Sequence, residues 1–213
     1  MTKLRRLLLL GTAAMLAAPV LASSRRALAT MTDGPFYPPQ AWRAAWSDQD
    51  ADLSRVQRGG RVLQARGEHL GLELVLADTS GRVIDGAEVE IWQCDALAAY
   101  RHPRVPAPPG SFDEGFQGFG ATRSGAQGQA RLRTIRPVPY PGRTPHIHFK
   151  LRHANFGELS SQLFVAGDPG NARDFLWRAL AQQDRAGLEM QLQAAAADID
   201  LRWSVRHTLV VPS

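Results

Sequence analysis

The β pattern begins at Leu70, where Leu72, Leu74 and Leu76 alternate with Glu73, Val75 and Ala77. Side chains on a strand point to opposite faces in turn, so this parity predicts a half-buried strand over 70–77. Asp78-Thr79-Ser80-Gly81 closes it as a turn. A short apolar pair, Val83-Ile84, runs into a second turn at Asp85-Gly86. The run Ala87 to Cys94 then sets Val89 and Ile91 against Glu88, Glu90 and Trp92. Further strands are expected at 129–135, 146–152, 161–166 and 207–211. Residues 172–182 have helical spacing through Phe175, Leu176 and Leu180, and 186–197 reads as a second helix. Many short strands punctuated by Gly and Pro indicate a mainly β protein, a β-sandwich with short peripheral helices. Residues 30–40 form a proline-rich extended lead, and 41–57 a polar connection with a short helix carrying Trp42 and Trp46. The stretch 101–128 is rich in Pro, Gly and Phe without any period, the mark of a long active-site loop.

The N-terminus stands apart. Lys3, Arg5 and Arg6 precede an apolar run from Leu7 that extends to Ala22, and Ala27-Leu28-Ala29 offers a cleavage signal. This order predicts a secretory leader over 1–29 and a single domain over 30–213. The run is short for a membrane span of about 20 residues, although an uncleaved anchor is the competing reading. The Arg5-Arg6 pair suggests the twin-arginine route, with Sec export as the alternative. The expected destination is periplasmic or extracellular, without stable membrane anchoring once the leader is removed. Five of the 25 Lys and Arg residues lie in 1–29, which holds no acid, leaving 20 basic groups against 20 acidic ones. A basic nucleic-acid footprint is therefore not supported. Cys94 is the only cysteine, so no intrachain disulfide forms, and it is expected to act as a small buried hydrophobe.

The chemistry concentrates between Pro139 and Phe149. On the strand predicted there, His146 and His148 share one face while Ile147 and Phe149 take the other. Their Cα atoms are then roughly 6.5 to 7 Å apart, a spacing from which two imidazoles can converge on one metal. The chain holds three tyrosines, Tyr37, Tyr100 and Tyr140, the last of them six residues before His146. An ordinary phenol has a pKa near 10, but a trivalent cation stabilises the phenolate, a hard ligand suited to ferric iron.

Taken in order, these pieces resemble the intradiol ring-cleavage dioxygenase family, which includes catechol and protocatechuate dioxygenases. They are Gly34-Pro35-Phe36-Tyr37, the run Val89 to Ala96 leading to Tyr100, and Arg133-Thr134-Ile135-Arg136-Pro137. Pro139-Tyr140-Pro141, Pro145-His146-Ile147-His148-Phe149 and Ser161-Gln162-Leu163-Phe164 complete the set. The resemblance spans about residues 31 to 170. It implies non-haem Fe(III) held by Tyr100, Tyr140, His146 and His148, with a catecholic substrate and O2 as partners. It also implies that Tyr140 accepts a substrate proton and that Arg143 stabilises negative charge on the ring, giving a muconate-type diacid. Gln162 is implied beside Arg143, and Tyr37 near the substrate. Only Pro141 and Gly142 separate Tyr140 from Arg143. That short spacing is similar to an exported, single-chain branch of the family, and it leaves ring specificity open.

Two other classes compete: a non-enzymatic transthyretin-like binding module with structural histidines, and a zinc hydrolase using the same His pair. His69, His153 and His207 have no partner pattern and read as structural, while His102 is expected in a solvated loop. Sequence leaves the oligomeric state open.

Overall fold

In the computed structural model, residues 25–46, 48–103, 110–195 and 200–213 are described. The strands are β1 (Arg55–Arg58), β2 (Arg61–Gln64), β3 (His69–Asp78), β4 (Glu88–Trp92), β5 (Phe119–Arg123) and β6 (Gln129–Ile135). They continue with β7 (His146–His153), β8 (Gly157–Val165), β9 (Glu189–Met190), β10 (Gln193–Ala194) and β11 (Trp203–Val211). Three short helices, α1 (Gln40–Arg43), α2 (Phe175–Ala179) and α3 (Gln182–Arg185), lie at the periphery. One sheet runs β10-β11-β3-β6 and the other β5-β4-β7-β8-β9, with β1-β2 a separate hairpin. Between the sheets Leu70, Leu72, Leu74 and Leu76 meet Val89, Ile91, Ile147, Phe149 and Leu151, all buried. The β-sandwich expected from the alternating leucines is therefore present. Among the described residues no helix is long and apolar enough to cross a membrane.

The strands predicted from alternation are all present, most of them a residue or more different in extent. Several expectations need correction. The polar connection contains β1, and Gly59-Gly60, with φ of +57° and +76°, turns it into β2. Both strands are largely exposed, so neither face carries an apolar parity to read. The aperiodic 101–128 segment, of which 104–109 lie outside the described residues, contains β5. The predicted helix 172–182 is interrupted. Asp174 sits extended (φ −73°, ψ 125°) as the N-cap of α2, and Leu180 leaves the helix at ψ 135°. Asp favours caps because its side chain competes for local backbone N–H groups. The predicted helix 186–197 is replaced by β9 and β10, with 196–199 outside the described residues. Leu188 and Met190 are both fully buried two residues apart, and β9 pairs in parallel with β8. Tertiary pairing overrides the helical propensity of this Ala-rich stretch.

Of the predicted leader, 1–24 lie outside the described residues, but 25–29 are laid against the sandwich. The Arg25 N–H donates to Thr79 O and the Leu28 N–H to Val210 O, at 2.9 and 2.8 Å. Leu28 belongs to the core, Arg26 pairs with Asp184, and Ser161 Oγ donates to Ala29 O.

Phe149 is fully buried at the centre of the inter-sheet core. Truncating it leaves a cavity that a sheet centre cannot close, so Phe149→Ala should lose about 3–5 kcal/mol in urea unfolding.

Candidate metal centre

Paired residues on neighbouring strands stand side by side. The register of β5, β4, β7 and β8 therefore sets Phe119, Trp92, His148 and Gln162 in one row on the outer face of the five-stranded sheet. Trp92 lies flat on the His148 ring, centroids 4.9 Å apart at 11°. Above this row the lead crosses the sheet. Gly34 runs so close that a Cβ there would lie 3.4 Å from His148 Cε1, and Phe36 stacks on Tyr100 at 4.5 Å. Trp92, Cys94, Tyr100 and Phe119 make a second apolar cluster, closed by Phe36, Tyr37, Trp46, Val138 and Tyr140. The face that carries the histidines is thus as buried as the core face: His146 through Lys150 are all buried.

The two imidazoles meet at their Nε2 atoms, 3.2 Å apart. A carbonyl only accepts, so the 2.6 Å contact of His146 Nδ1 with Thr144 O assigns the proton to Nδ1 and leaves an Nε2 lone pair. Burial, followed by the Arg143 charge, lowers His146 to about 4. Burial, followed by His146 and Arg143, holds His148 well below the usual histidine value. Near neutral pH both rings are uncharged, the form that binds metal.

Tyr100 and Tyr140 arrive on loops. After β4, Asp95 Oδ1 accepts the N–H groups of Leu97 and Ala99, folding a tight loop in which Ala98 takes φ +62°. Positive φ in a residue with a Cβ is strained, and the loop holds it two residues before Tyr100. Pro141 and Gly142 form the centre of a turn closed by the Arg143 N–H on Tyr140 O at 2.9 Å. Gly142 has φ +82°, as the third residue of a type II turn requires, with Pro favoured before it. This turn sets Arg143 against Tyr140, its Nη1 donating to the tyrosine Oη at 3.4 Å. The Tyr100 ring lies 5.7 Å from Tyr140 and 6.3 Å from His148, and Tyr140 lies 5.5 Å from His146. The two histidines and two tyrosines named from the sequence are therefore one cluster.

The cluster fits a metal ion. The Tyr100 hydroxyl is buried without a hydrogen-bond partner, a condition that costs about 1–3 kcal/mol. Burial, reinforced by the adjacent Tyr140, keeps the Tyr100 phenol well above its usual pKa, so ionising it requires a strong positive charge nearby. Burial also raises Tyr140, though Arg143 opposes it. Two nitrogens 3.2 Å apart can reach one ion through bonds of about 2.1 Å.

Arg143 and Gln162 meet as expected, Nη2 donating to Oε1 at 2.5 Å. The Tyr37 hydroxyl donates to Glu90 and accepts from Arg43 and Arg152, while its ring takes Trp92 edge-on. These contacts tie the lead to the sheet. His102 departs from expectation: it is buried against Phe36 and Trp42. His69, His153 and His207 hydrogen-bond to backbone groups, and Cys94 is a buried thiol pushed up to about 12 by burial.

Residues 33–208 match the Dioxygenase family model. The chain belongs to the intradiol ring-cleavage dioxygenase family. It is 34% identical over 131 residues to the protocatechuate 3,4-dioxygenase beta chain of Burkholderia cepacia, covering 56% of this chain and 55% of that one. It is 28% identical over 137 residues to the hydroxyquinol 1,2-dioxygenase of Corynebacterium glutamicum, covering 55% and 43%. This intradiol family member thus spans about half the length of these curated relatives. Its fold is similar to the dioxygenase domain of a dioxygenase and carbohydrate-binding protein fusion from Streptomyces sp. SirexAA-E. There the TM-score is 0.63 at 24% identity, with 88% of this chain and 99% of that chain covered.

Sequence reasoning missed Thr144 and Asp174. Thr144 acts through its backbone carbonyl, which no residue type reveals. Asp174, which accepts from Arg143 Nε at 2.8 Å, stands before an apolar helical run, a readable cap signal.

The unpartnered Tyr100 hydroxyl gives a test that needs no turnover. In metal-stripped protein, Tyr100→Phe should raise unfolding stability by about 1–3 kcal/mol, while ferric iron uptake measured by metal analysis should fall sharply.

Proposed function

We propose that this chain is a non-haem Fe(III) dioxygenase that cleaves a catechol-type ring between its two hydroxyl-bearing carbons, adding both atoms of O2 to give a muconate-type diacid. The observation that carries the reading is the convergence of Tyr100, Tyr140, His146 and His148 with Arg143 at one buried point. His146 and His148 would hold the ion through Nε2, and Tyr100 and Tyr140 through their phenol oxygens. Ferric iron, when bound, supplies the Lewis acidity that stabilises both phenolates and activates a catecholate ring.

The chain's own residues divide the remaining work. Tyr100 is buried and stacked on Phe36. It serves as a fixed ligand. Tyr140 is half-buried, and its oxygen faces the Arg143 guanidinium. That oxygen is the one placed to accept a proton from a substrate hydroxyl as the substrate enters. Arg143, held on its other edges by Asp174 and Gln162, offers a preorganised positive charge where the ring becomes negative. Phe36, Trp92 and Phe119 exclude water from that side. The zinc-hydrolase reading has less support, since among the described residues no three His, Cys, Asp or Glu side chains gather at one point. The non-enzymatic module leaves the two tyrosines without purpose.

The deciding experiment is a visible spectrum of the iron-loaded protein with anaerobic catechol, followed by oxygen-electrode measurements. A broad visible band that shifts with catechol, and oxygen uptake at one O2 per ring cleaved, are the expected results. A protein colourless after ferric reconstitution would overturn the reading.

We also propose export to the periplasm or beyond, on the strength of the basic and apolar order of the first 22 residues. Because Arg25, Leu28 and Ala29 are built into the sandwich, the leader is proposed to be cut before Arg25 rather than after Ala29. Intact mass and N-terminal sequencing of the exported protein should find Leu28 retained; a mature chain beginning at Thr30 would contradict this.

A further inference from the structure

Asp174 stands outside the set of groups that touch a metal or a substrate, yet its carboxylate is wholly committed to the site. Its side chain is fully buried. Oδ2 accepts from Arg143 Nε at 2.8 Å and from the Thr144 N–H at 3.0 Å. Oδ1 accepts from the N–H groups of Leu176 and Trp177 at 2.9 and 3.0 Å. A carboxylate has about four acceptor sites, and here all four are filled. Burial alone would push this acid up, but the Trp177, Arg143 and Thr144 donors outweigh it and hold Asp174 below the usual carboxylate range. Helix α2 is itself pinned, Trp177 meeting Phe164 of β8 edge-on at 5.1 Å. Phe164 in turn pairs with His146 in the strand register.

One carboxylate therefore joins three parts of the centre: the Arg143 guanidinium, the backbone before His146, and the end of α2. With Nε taken by Asp174 and Nη2 by Gln162, the remaining Nη1 is turned to the Tyr140 oxygen. With its N–H held, Thr144 presents its carbonyl to His146 Nδ1. We propose that Asp174 is a positioning residue that fixes the Arg143 guanidinium toward Tyr140 and sets the Thr144 carbonyl that orients His146. This rests on the dioxygenase reading of the site for its catalytic meaning, but the positioning itself does not.

The competing account is that Asp174 only caps α2. Asp174→Asn separates the two, because an amide oxygen still caps a helix while its NH2 group faces Arg143 Nε with donor against donor. Asp174→Ser keeps a capping hydroxyl and is too short to reach Arg143, providing a second variant should the first fold poorly. In metal-free protein, phenylglyoxal labelling of Arg143, followed by peptide mass mapping, should be about tenfold faster in either variant, as a lost charge-assisted hydrogen bond implies. In iron-loaded protein, kcat with catechol should fall about ten- to hundredfold with a smaller change in KM. Adding Asp174→Asn to Arg143→Gln should cost far less than Asp174→Asn costs alone, since the arginine arm is already lost and only the Thr144–His146 arm remains. Wild-type labelling with wild-type kcat in a folded variant would overturn the proposal, as would failure of both variants to fold. A colourless, inactive wild-type protein would sink the dioxygenase reading, while the labelling rate would still decide the positioning.

Discussion

The register of β7 between β4 and β8 is the constraint on which the rest of the molecule depends. His146, His148 and Lys150 alternate with Ile147, Phe149 and Leu151, and both sets are buried. A slip of one residue would exchange them, driving two imidazoles and an ammonium into the inter-sheet core. The apolar set therefore fixes where the histidines point, and the same register sets Trp92 and Gln162 on either side of His148. The fold and the centre share one decision.

Burying polar groups on the outer face is tolerable only because nearly every one is partnered. Lys150 pairs with Asp33, which also accepts from Ser160, and Arg152 meets Glu88, Glu90 and Glu158. These pairs, with the Tyr37 hydroxyl, hold the lead onto the sheet and so keep Phe36 over Tyr100. Three groups without partners lie together at the centre: the Tyr100 hydroxyl, His148 Nδ1 and Trp92 Nε1. Beside two neutral imidazoles, the unpartnered phenol is a donor suited to a cation.

The sequence made legible whatever follows from local pattern. The alternating leucines of β3 and the His-x-His parity of β7 gave the sandwich and the face on which the histidines stand, because period two survives when one face is uniformly apolar. That Tyr100, Tyr140, His146, His148 and Arg143 come together was readable through motif order. What escaped was set by tertiary pairing: β9 and β10, whose Ala-rich surroundings favour helix, and β5, an edge strand with no apolar parity. The structural ties of Tyr37 were not legible for another reason: the partner that holds its hydroxyl, Glu90, lies 53 residues away and is itself buried. His102 was misplaced because the aromatic side chains that bury it, Phe36 of the lead and Trp42 of α1, lie far upstream in the chain.

The two tyrosines show how local backbone assigns roles that residue type alone leaves equal. Tyr100 emerges from a loop locked by Asp95 and strained at Ala98, and is then covered by Phe36. Tyr140 precedes a two-residue turn that needs only Pro141 and a glycine at φ +82°. The first is overdetermined and desolvated; the second is half-buried and faces a fixed guanidinium. For the proposed reaction, the first setting suits a ligand that stays and the second one that takes up a proton. The brevity of the Tyr140–Arg143 connection is part of this division. A type II turn returns the chain on itself, so Tyr140 and Arg143 are placed side by side by a single backbone hydrogen bond.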